Sequence, residues 1–524
     1  MKRYAFFAML LCIPLLFVNS TQVVAKINFT EYSLPNGLHV ILQEDHSTPI
    51  VAVSVMYHVG SKNEDPERTG FAHFFEHLLF EGSDNIKRGE YMKFIQSAGG
   101  QLNANTSQDR TFYYEVLPSN QLELGLWMES ERMLHAKIDT IGVETQRKVV
   151  KEEKKQSYDN RPYGQIFNVV YKNAYTTYPY KWTPIGKEQY IDKATLAEFM
   201  NFYKTFYVPE NAVLVISGDI NEQQTKDLIN KYYGDIPKGT KLIPRPNVTE
   251  PEQKAEVRVD FEDNVQLPAI ILAYHIPKNG SADYYAVQLM AQLLSQGKSS
   301  RFEKEIADKQ QKAAQVAAFD LNNEDPGLAI MLGIANMGIK PNELEKAMLD
   351  EIEKVKKSGI TDEEYSKLQN QAESDFINQN QKDIGVATNL ATYYTYHRNA
   401  DLINTELDNY KKVTKDDIKR VANKYLTKEN RLVVYYLPKG TTEADGCNVK
   451  HDAKPLTKAE PKKETAAVKK TEKPAAVAPE NNSVNDKMSF NDAFATARKA
   501  GETTFTWRNK VYGTLLIGEE AKKK

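Results

Sequence analysis

The chain has 524 residues, of which 41% are hydrophobic and 10% aromatic, so it can bury the cores of several domains and is not disordered throughout. Lys and Arg number 68 against 70 Asp and Glu, a formal charge of -2 that gives no general attraction to nucleic acid or to an acidic membrane surface. Two cysteines exclude a disulfide framework and a cysteine-rich zinc cluster, so a metal site must be built from histidines and carboxylates.

The N-terminus has the pattern of a secretory signal. Lys2 and Arg3 precede an apolar run over 5–18, and small or apolar residues follow up to Ala25. The run is shorter than the about 20 residues of a spanning helix, although a retained anchor is the alternative interpretation. We therefore expect residues 1–25 to be a signal peptide, with export to a periplasm or the extracellular space and no membrane span in the mature chain.

From 27 to 438 the sequence alternates between strand and helix patterns. Apolar runs at Leu38–Leu42 and Val51–Met56 predict strands. Helical spacing over 122–135 and 343–356 predicts helices. This mixture indicates a folded protein that contains both element types.

The sharpest local motif is the pentad His73-Phe74-Phe75-Glu76-His77. Residues four apart on a helix lie on one face, so His73 and His77 can bind one metal ion. Two histidines and a carboxylate with an open position suit zinc, and Glu76 is close enough to take a proton from an activated water. The pattern is the inverted H-x-x-E-H form of a zinc-protease helix. The alternative is a helix with two ordinary histidines and an incidental glutamate.

A third ligand must come from elsewhere in the chain. The segment 140–158 is predicted to be helical and offers three candidates, Glu144, Glu152 and Glu153. Spacing alone leaves all three open.

A weak internal repeat predicts two related halves. Residues 207–216 run from Tyr-Val-Pro-Glu-Asn into an apolar strand, and a similar succession recurs over 425–436. Both follow amphipathic helical segments, although coincidence is the alternative. We predict a first half over 26–245 and a second over 246–440.

The composition changes after residue 440. Residues 441–486 are rich in Lys, Pro and Ala, which predicts an extended linker. Residues 487–524 regain apolar spacing, and Phe505, Trp507 and Tyr512 indicate a hairpin. We predict a small C-terminal element over 487–524, and an interaction tag is one interpretation of its role.

Further motifs accompany the pentad, in the order Leu34–Leu38, Val59–Ser61 with Glu64, Leu78–Gly82, Gly99–Tyr113 and Tyr207–Asp219. Together they resemble the pitrilysin/insulinase family of zinc proteases, which includes insulin-degrading enzyme and the mitochondrial processing peptidase. The resemblance covers about residues 27–440. It implies an α+β fold of two related α/β-sandwich halves, with antiparallel-rich sheets flanked by helices, that form a clamshell chamber.

The resemblance also implies one zinc ion per chain. His73 and His77 would be two ligands, and Glu76 would be the general base. The third ligand of the family is a Glu at the end of a segment like E-R-x-V-V-x-x-E, which here places it at Glu153 and leaves Glu152 as the outward neighbour.

The segment departs from the family pattern at one position, because Gln146 stands where an acidic residue is frequent. It lies two helical turns before the expected ligand, so we expect it beside the ligand shell, where its amide could hydrogen-bond Glu153. The family also binds peptides as an added strand, and the matching residues are Asn103, Ala104, Asn105 and Thr106. An ordinary edge strand is the alternative for these four residues.

The second half contains no H-x-x-E-H pentad, so it is expected to hold no catalytic metal. Many family members carry an Arg and a Tyr there that reach the substrate, but the matching positions are Ala307 and Ala314. Arg301 is interpreted as structural. We therefore expect a sister subunit that carries the Arg and Tyr pair, or a homodimer.

The function predicted is a zinc-dependent endopeptidase that hydrolyses peptides or unfolded protein segments. The alternative is a non-catalytic peptide-binding or assembly subunit of a heteromeric peptidase. A zinc-buffering protein would need a second ligand cluster. The remaining histidines are interpreted as structural: His39, His46, His58, His135, His275, His397 and His451.

Overall fold

The computed structural model describes residues 26–441, Thr496, 504–507 and 510–513. The predicted signal peptide lies outside the described residues, as do most of the linker and of the C-terminal element. Within the described residues no helix combines the length and apolarity needed to cross a bilayer.

The first sheet has six strands, of which only β2 and β6 are parallel neighbours. In chain order they are β1 (Thr30–Ser33), β2 (His39–Glu44), β3 (Ile50–Tyr57), β4 (Gln101–Thr106), β5 (Thr111–Pro118) and β6 (Ala212–Gly218). Their order in the sheet is β1-β2-β6-β3-β5-β4. The accompanying helices are α1 (Phe71–Leu78), α2 (Tyr91–Ser97), α3 (Leu122–Leu134), α4 (Thr140–Lys154), α5 (Ile166–Ala174), α6 (Glu188–Lys193), α7 (Leu196–Phe206) and α8 (Glu222–Tyr233).

The second sheet has five strands in the order β7-β11-β8-β10-β9. In chain order they are β7 (Val257–Asp263), β8 (Ala269–His275), β9 (Ala313–Leu321), β10 (Leu328–Ala335) and β11 (Arg431–Pro438). The helices are α9 (Tyr284–Ser295), α10 (Pro341–Ser358), α11 (Asp362–Gln379), α12 (Asp383–His397), α13 (Glu406–Lys412) and α14 (Lys415–Tyr425). A separate small unit contains the antiparallel pair β12 (Thr504–Trp507) and β13 (Lys510–Gly513), at the predicted hairpin.

The two sheets share one topology. Strands β2 to β6 form the order β2-β6-β3-β5-β4, and β7 to β11 form the same order in the same senses, with one parallel pair at the start. The predicted strands 38–42 and 51–56 fall on β2 and β3, and the predicted helices 122–135 and 343–356 on α3 and α10. The fold class is therefore confirmed as α+β, with two related halves built on sheets flanked by helices.

One helix from each half packs on the sheet of the other half. Helix α5 precedes β6 in the chain but packs on the second sheet, and α12 precedes β11 but packs on the first. On α5, Val169 and Val170 share a buried cluster with residues of the second sheet, namely Ile271, Leu328 and Val434. On α12, Val386 and Leu390 share a buried cluster with residues of the first sheet, namely Ile41, Met56 and Val215. Both faces of each sheet are thus covered, and the boundary at 245 stays a prediction because helices pack across it.

The exchanged packing of α12 leads to a prediction about stability. Leu390 is 0% exposed and lies in the cluster that joins α12 to the first sheet. We expect Leu390→Ala to lower the free energy of unfolding by about 2–5 kcal/mol, because the cavity adds to the lost burial. Leu390→Met should cost less than about 1.5 kcal/mol, because volume is conserved. Urea unfolding of both variants tests this, and equal midpoints would contradict the packing.

Candidate metal centre

Helix α1 carries the pentad, and a buried carboxylate fixes its start. Gly70 has a φ of 102°, a left-handed conformation that favours glycine, and α1 begins at the next residue. Oxygens of Glu64 accept hydrogen bonds from the backbone N–H groups of Gly70 (2.9 Å) and Ala72 (2.8 Å) and from Nε1 of Trp182 (3.1 Å). The first N–H groups of a helix have no partner within the helix, so this buried carboxyl satisfies them; burial outweighs the donors and raises the pKa of Glu64 to about 8. The position of the pentad is therefore set from outside the helix.

The two faces of α1 differ in burial. The buried face packs into the core of the first half through Phe71, Ala72, Phe74, Phe75 and Leu78. The other face leaves His73, Glu76 and His77 half-buried and lies against α4. The apolar residues of the pentad thus anchor the helix, while its three polar residues share the opposite side.

The structure brings His73, His77 and Glu153 together. One nitrogen of each ring and a carboxylate oxygen lie within 4.8 Å of one another. Nε2 of His73 is 3.5 Å from Oε1 of Glu153, and Nε2 of His77 is 3.1 Å from Oε2. A tetrahedral zinc ion with bonds of about 2.0–2.1 Å holds its ligand atoms about 3.3 Å apart. The spacing and the donor types therefore fit zinc.

The other two glutamates of α4 point elsewhere. Glu144 and Glu152 are exposed, whereas Val150 and Glu153 turn inward. Glu144 lies 3.1 Å from Nε of Arg147, and Glu152 accepts a hydrogen bond from Gln156 at 3.1 Å. The phase of the helix thus separates Glu153 from its neighbours.

The electrostatics of Glu153 favour a cationic neighbour. Burial alone would raise the pKa of this carboxyl, but the two imidazoles outweigh burial and hold it well below its ordinary range. Oε2 of Glu153 is buried, and its 3.1 Å contact with Nε2 of His77 does not have hydrogen-bond geometry. Buried polar atoms are rarely left unpaired, so an ionised carboxylate facing two imidazole nitrogens fits a metal ion.

Gln146 makes a different contact from the one expected. Its Nε2 donates to Oε1 of Glu81, just after α1, and Glu81 also accepts a hydrogen bond from Nε of Arg88. Gln146 does not bond to Glu153; its own Oε1 is buried without a hydrogen-bond partner in the described chain. The amide therefore ties α4 to the segment after α1 rather than to the ligand.

The charge of Glu76 acts on three buried or half-buried tyrosines, of which the sequence motifs do not single out Tyr158. Burial raises the pKa values of Tyr113, Tyr207 and Tyr158, and the charge of Glu76 adds to the rise in each. Glu153 also acts on Tyr158, so this hydroxyl lies near both carboxylates. Tyr158 belongs to a π-helical segment, Lys155–Asp159, that continues α4. In the sequence, Tyr158 is indicated only as the last residue of the predicted helical segment 140–158.

Strand β4, which contains the predicted peptide-binding residues, is the last strand on its side of the sheet and lies near α1. Asn103 and Asn105 face Tyr114 and Phe112 on β5, and the N–H of Ser107 donates to the carbonyl of Arg110. Antiparallel pairs alternate, so the main-chain groups of Ala104 and Thr106 point to the free edge. The N–H of Ala104 donates to Oδ1 of its neighbour Asn103 at 2.8 Å.

The second half places alanines where the resemblance implied an Arg and a Tyr. Ala307 is half-buried in a π-helical segment, Phe302–Lys309, and Ala314 is exposed on β9. Arg301 binds both carboxylate oxygens of Glu364, at 2.8 and 2.9 Å. The guanidinium is thus engaged within its own half.

The other histidines that the structure describes have ordinary partners. The pairs are His39 with Glu31, His46 with Asp219, His58 with Glu324, His135 with Asp84, His275 with the carbonyl of Ala174 and His397 with Asn279. His451 lies outside the described residues. The described chain has one further group of acidic residues close enough to share an ion, Asp109, Glu324 and Asp325, and the ammonium of Lys62 contacts all three.

Comparisons with known proteins identify the family of the chain. The model of the insulinase family, peptidase family M16, matches residues 39–186, and that of the peptidase M16 inactive domain matches 193–372. The zinc protease PqqE of Helicobacter pylori is 32% identical over 409 residues, which are 78% of this chain and 92% of the relative. The chain belongs to the insulinase family. A probable mitochondrial-processing peptidase subunit beta of Arabidopsis thaliana is 26% identical over 421 residues, 75% of each chain.

The fold is shared with solved members of the M16 family. The crystal structure of a protease from Helicobacter pylori aligns with a TM-score of 0.76 at 30% identity and covers 79% of this chain and 100% of that one. The names of the relatives place zinc proteases and a subunit of a processing peptidase in this family. Within this chain, His73, His77 and Glu153 all fall in the segment that matches the insulinase model.

Proposed function

We propose that the chain is a zinc-dependent endopeptidase that hydrolyses peptides or unfolded protein segments. The observation that supports this most is the approach of His73, His77 and Glu153 to within 4.8 Å, with Glu76 on the same face of α1. These three side chains would hold one zinc ion per chain and leave a position open for water or substrate.

In the proposed reaction, the metal and Glu76 have separate roles. Bound zinc would supply Lewis acidity that activates a water and polarises the scissile carbonyl. Glu76 accepts the proton of the attacking water and then delivers it to the leaving amine.

The edge of β4 is the proposed place of the peptide. An extended substrate would add as a strand beside Asn103, Ala104, Asn105 and Thr106, with Ala104 and Thr106 offering free main-chain groups. To bond with the substrate, the N–H of Ala104 must leave the side chain of Asn103. Main-chain pairing requires an extended segment but depends little on the side chains of the substrate. This supports peptides and unfolded segments as substrates.

The assembly proposal rests on the second half. Because Ala307 and Ala314 offer no charged or hydroxyl group, we propose that a sister subunit, or a second copy of this chain, supplies a further contact with the substrate. We propose export through residues 1–25 to a periplasm or beyond. The halves 26–245 and 246–440, the linker 441–486 and the element 487–524 complete the proposed organisation.

Metal removal tests the proposed function. We expect the purified chain to lose cleavage of an unstructured peptide on chelation and to regain it with one equivalent of zinc, because imidazole ligands favour Zn²⁺. Reloading with Mg²⁺, which prefers oxygen ligands, should not restore cleavage and serves as the control. Mass spectrometry of the products measures the outcome. Zinc and peptide binding without cleavage, alone or with a sister subunit, would instead favour the non-catalytic peptide-binding subunit.

A further inference from the structure

The two halves meet at equivalent turns. The turn between β4 and β5 spans 107–110, and the matching turn of the second half, between β9 and β10, spans 322–327. Because β4 and β9 occupy the same place in the two sheets, these turns belong to corresponding edge hairpins. The backbone N–H of Glu324 donates to Oδ2 of Asp109 at 3.0 Å, so the hairpins touch directly.

A buried lysine joins these turns. The side chain of Lys62 is 3% exposed, and its Nζ lies 2.9 Å from Asp109, 2.6 Å from Glu324 and 3.0 Å from Asp325. Burial alone would lower the pKa of Lys62, but the carboxylates outweigh burial and raise it. The ammonium is therefore charged and bridges carboxylates from both halves.

Neutral donors complete this cluster. Tyr180 donates to Asp109 and accepts from the N–H of Asp325 at 3.1 Å, while Tyr178 donates to Asp325. Nε2 of His58 is 2.7 Å from Glu324. Burial opposes ionisation of Glu324, but His58 and Lys62 lower its pKa to about 2. Glu324 is thus ionised, and removal of the ammonium would leave the three carboxyl groups close together without their central cation.

The same lysine also holds the hairpin of β4 through its backbone. The N–H of Lys62 donates to the carbonyl of Gln108 at 2.9 Å, and the N–H of Ser61 donates to the carbonyl of Ser107 at 3.2 Å. The side chain of Thr111 donates to the carbonyl of Val59 at 2.9 Å. The turn that follows β4 is thus bonded to the segment before α1 and, through Lys62, to the second half.

We propose that Lys62 is a positioning residue that fixes the peptide-binding edge of β4 against the second half, acting through Asp109, Glu324 and Asp325. The proposal rests on the proposed function only in taking β4 as the peptide-binding edge. A strand that is held in place before binding pays less ordering entropy when a peptide pairs with it. Lys62 is neither one of the four proposed peptide-binding residues nor a proposed metal ligand, so its loss should weaken peptide binding more than the chemical step.

The test compares Lys62→Met with a matched control, Arg258→Met, in the full chain loaded with zinc. Arg258 binds Glu345 at 2.8 and 2.6 Å and lies within the second half, so both variants remove a largely buried cation. We expect Lys62→Met to raise KM, and the Kd of a fluorescent unstructured peptide, at least tenfold, with kcat changed less than threefold and one zinc retained. Arg258→Met should lower the melting temperature without changing KM.

An unchanged Kd in folded, zinc-loaded Lys62→Met would overturn the proposal, as would an equal rise in KM in Arg258→Met. If Lys62→Met does not fold, Asp325→Asn tests the same cluster, because this carboxylate is 34% exposed and its loss leaves two partners for the ammonium. A two- to fivefold rise in Kd is then expected, and no rise overturns the proposal. If the parent chain binds peptide but does not cut it, the proposed endopeptidase function fails, while the comparison of Kd values still decides the role of Lys62.

Discussion

Replacement of Glu76 by glutamine is expected to leave one zinc bound and to lower kcat by about 10²- to 10⁴-fold, the usual contribution of a positioned general base. Glutamine keeps the shape of the side chain but cannot accept the proton of the attacking water. The three proposed ligands, His73, His77 and Glu153, are untouched by the change. Zinc content by atomic absorption and peptide turnover in one preparation measure both parts of this prediction.

Glu144→Gln provides the matched control, because it removes an exposed carboxylate from α4 and should change neither zinc content nor kcat. Two results would contradict the role of Glu76. Retention of full turnover in Glu76→Gln would assign the proton transfer to another group. Loss of zinc in the variant would mean that Glu76 supports the metal rather than the proton transfer.

The sequence could predict features that depend on one element at a time. The pairing of His73 with His77 follows from helical spacing, whereas the choice of Glu153 over Glu152 comes from the resemblance to the family segment. Strand and helix positions also follow from periodicity, because burial of one face of an element leaves a regular pattern. These features need no knowledge of how distant segments meet.

Contacts between distant segments could not be predicted in this way. The apolar residues of α5 and α12 indicate that these helices are partly buried, but they do not show that each helix packs on the sheet of the other half. The helical pattern predicts that Gln146 lies on α4, but its partner Glu81 depends on the path of the chain after α1. Lys62 and Glu324 are separated by 262 residues, so the sequence around either residue does not predict that the two form an ion pair.

The second large effect is expected at Glu153. Replacement of a residue that only supports a zinc ligand costs about 10- to 100-fold in metal affinity. Because Glu153 is proposed to be a ligand itself, we expect Glu153→Gln to weaken zinc binding by about 100-fold or more, since the neutral amide is a poorer donor and leaves the charge of the ion uncompensated. Competition with a chromophoric chelator measures this affinity.

Glu152→Gln is the control for this experiment, because the neighbouring carboxylate is exposed and bonded to Gln156. It should bind zinc as tightly as the parent, and the two variants together distinguish ligation from a general loss of negative charge on α4. Excess zinc should restore part of the activity of Glu153→Gln but none of the activity of Glu76→Gln, because the first variant fails to hold the ion and the second fails to move the proton. Equal zinc affinity in Glu153→Gln and Glu152→Gln would exclude Glu153 as the third ligand, and the proposed metal centre would then lack its carboxylate.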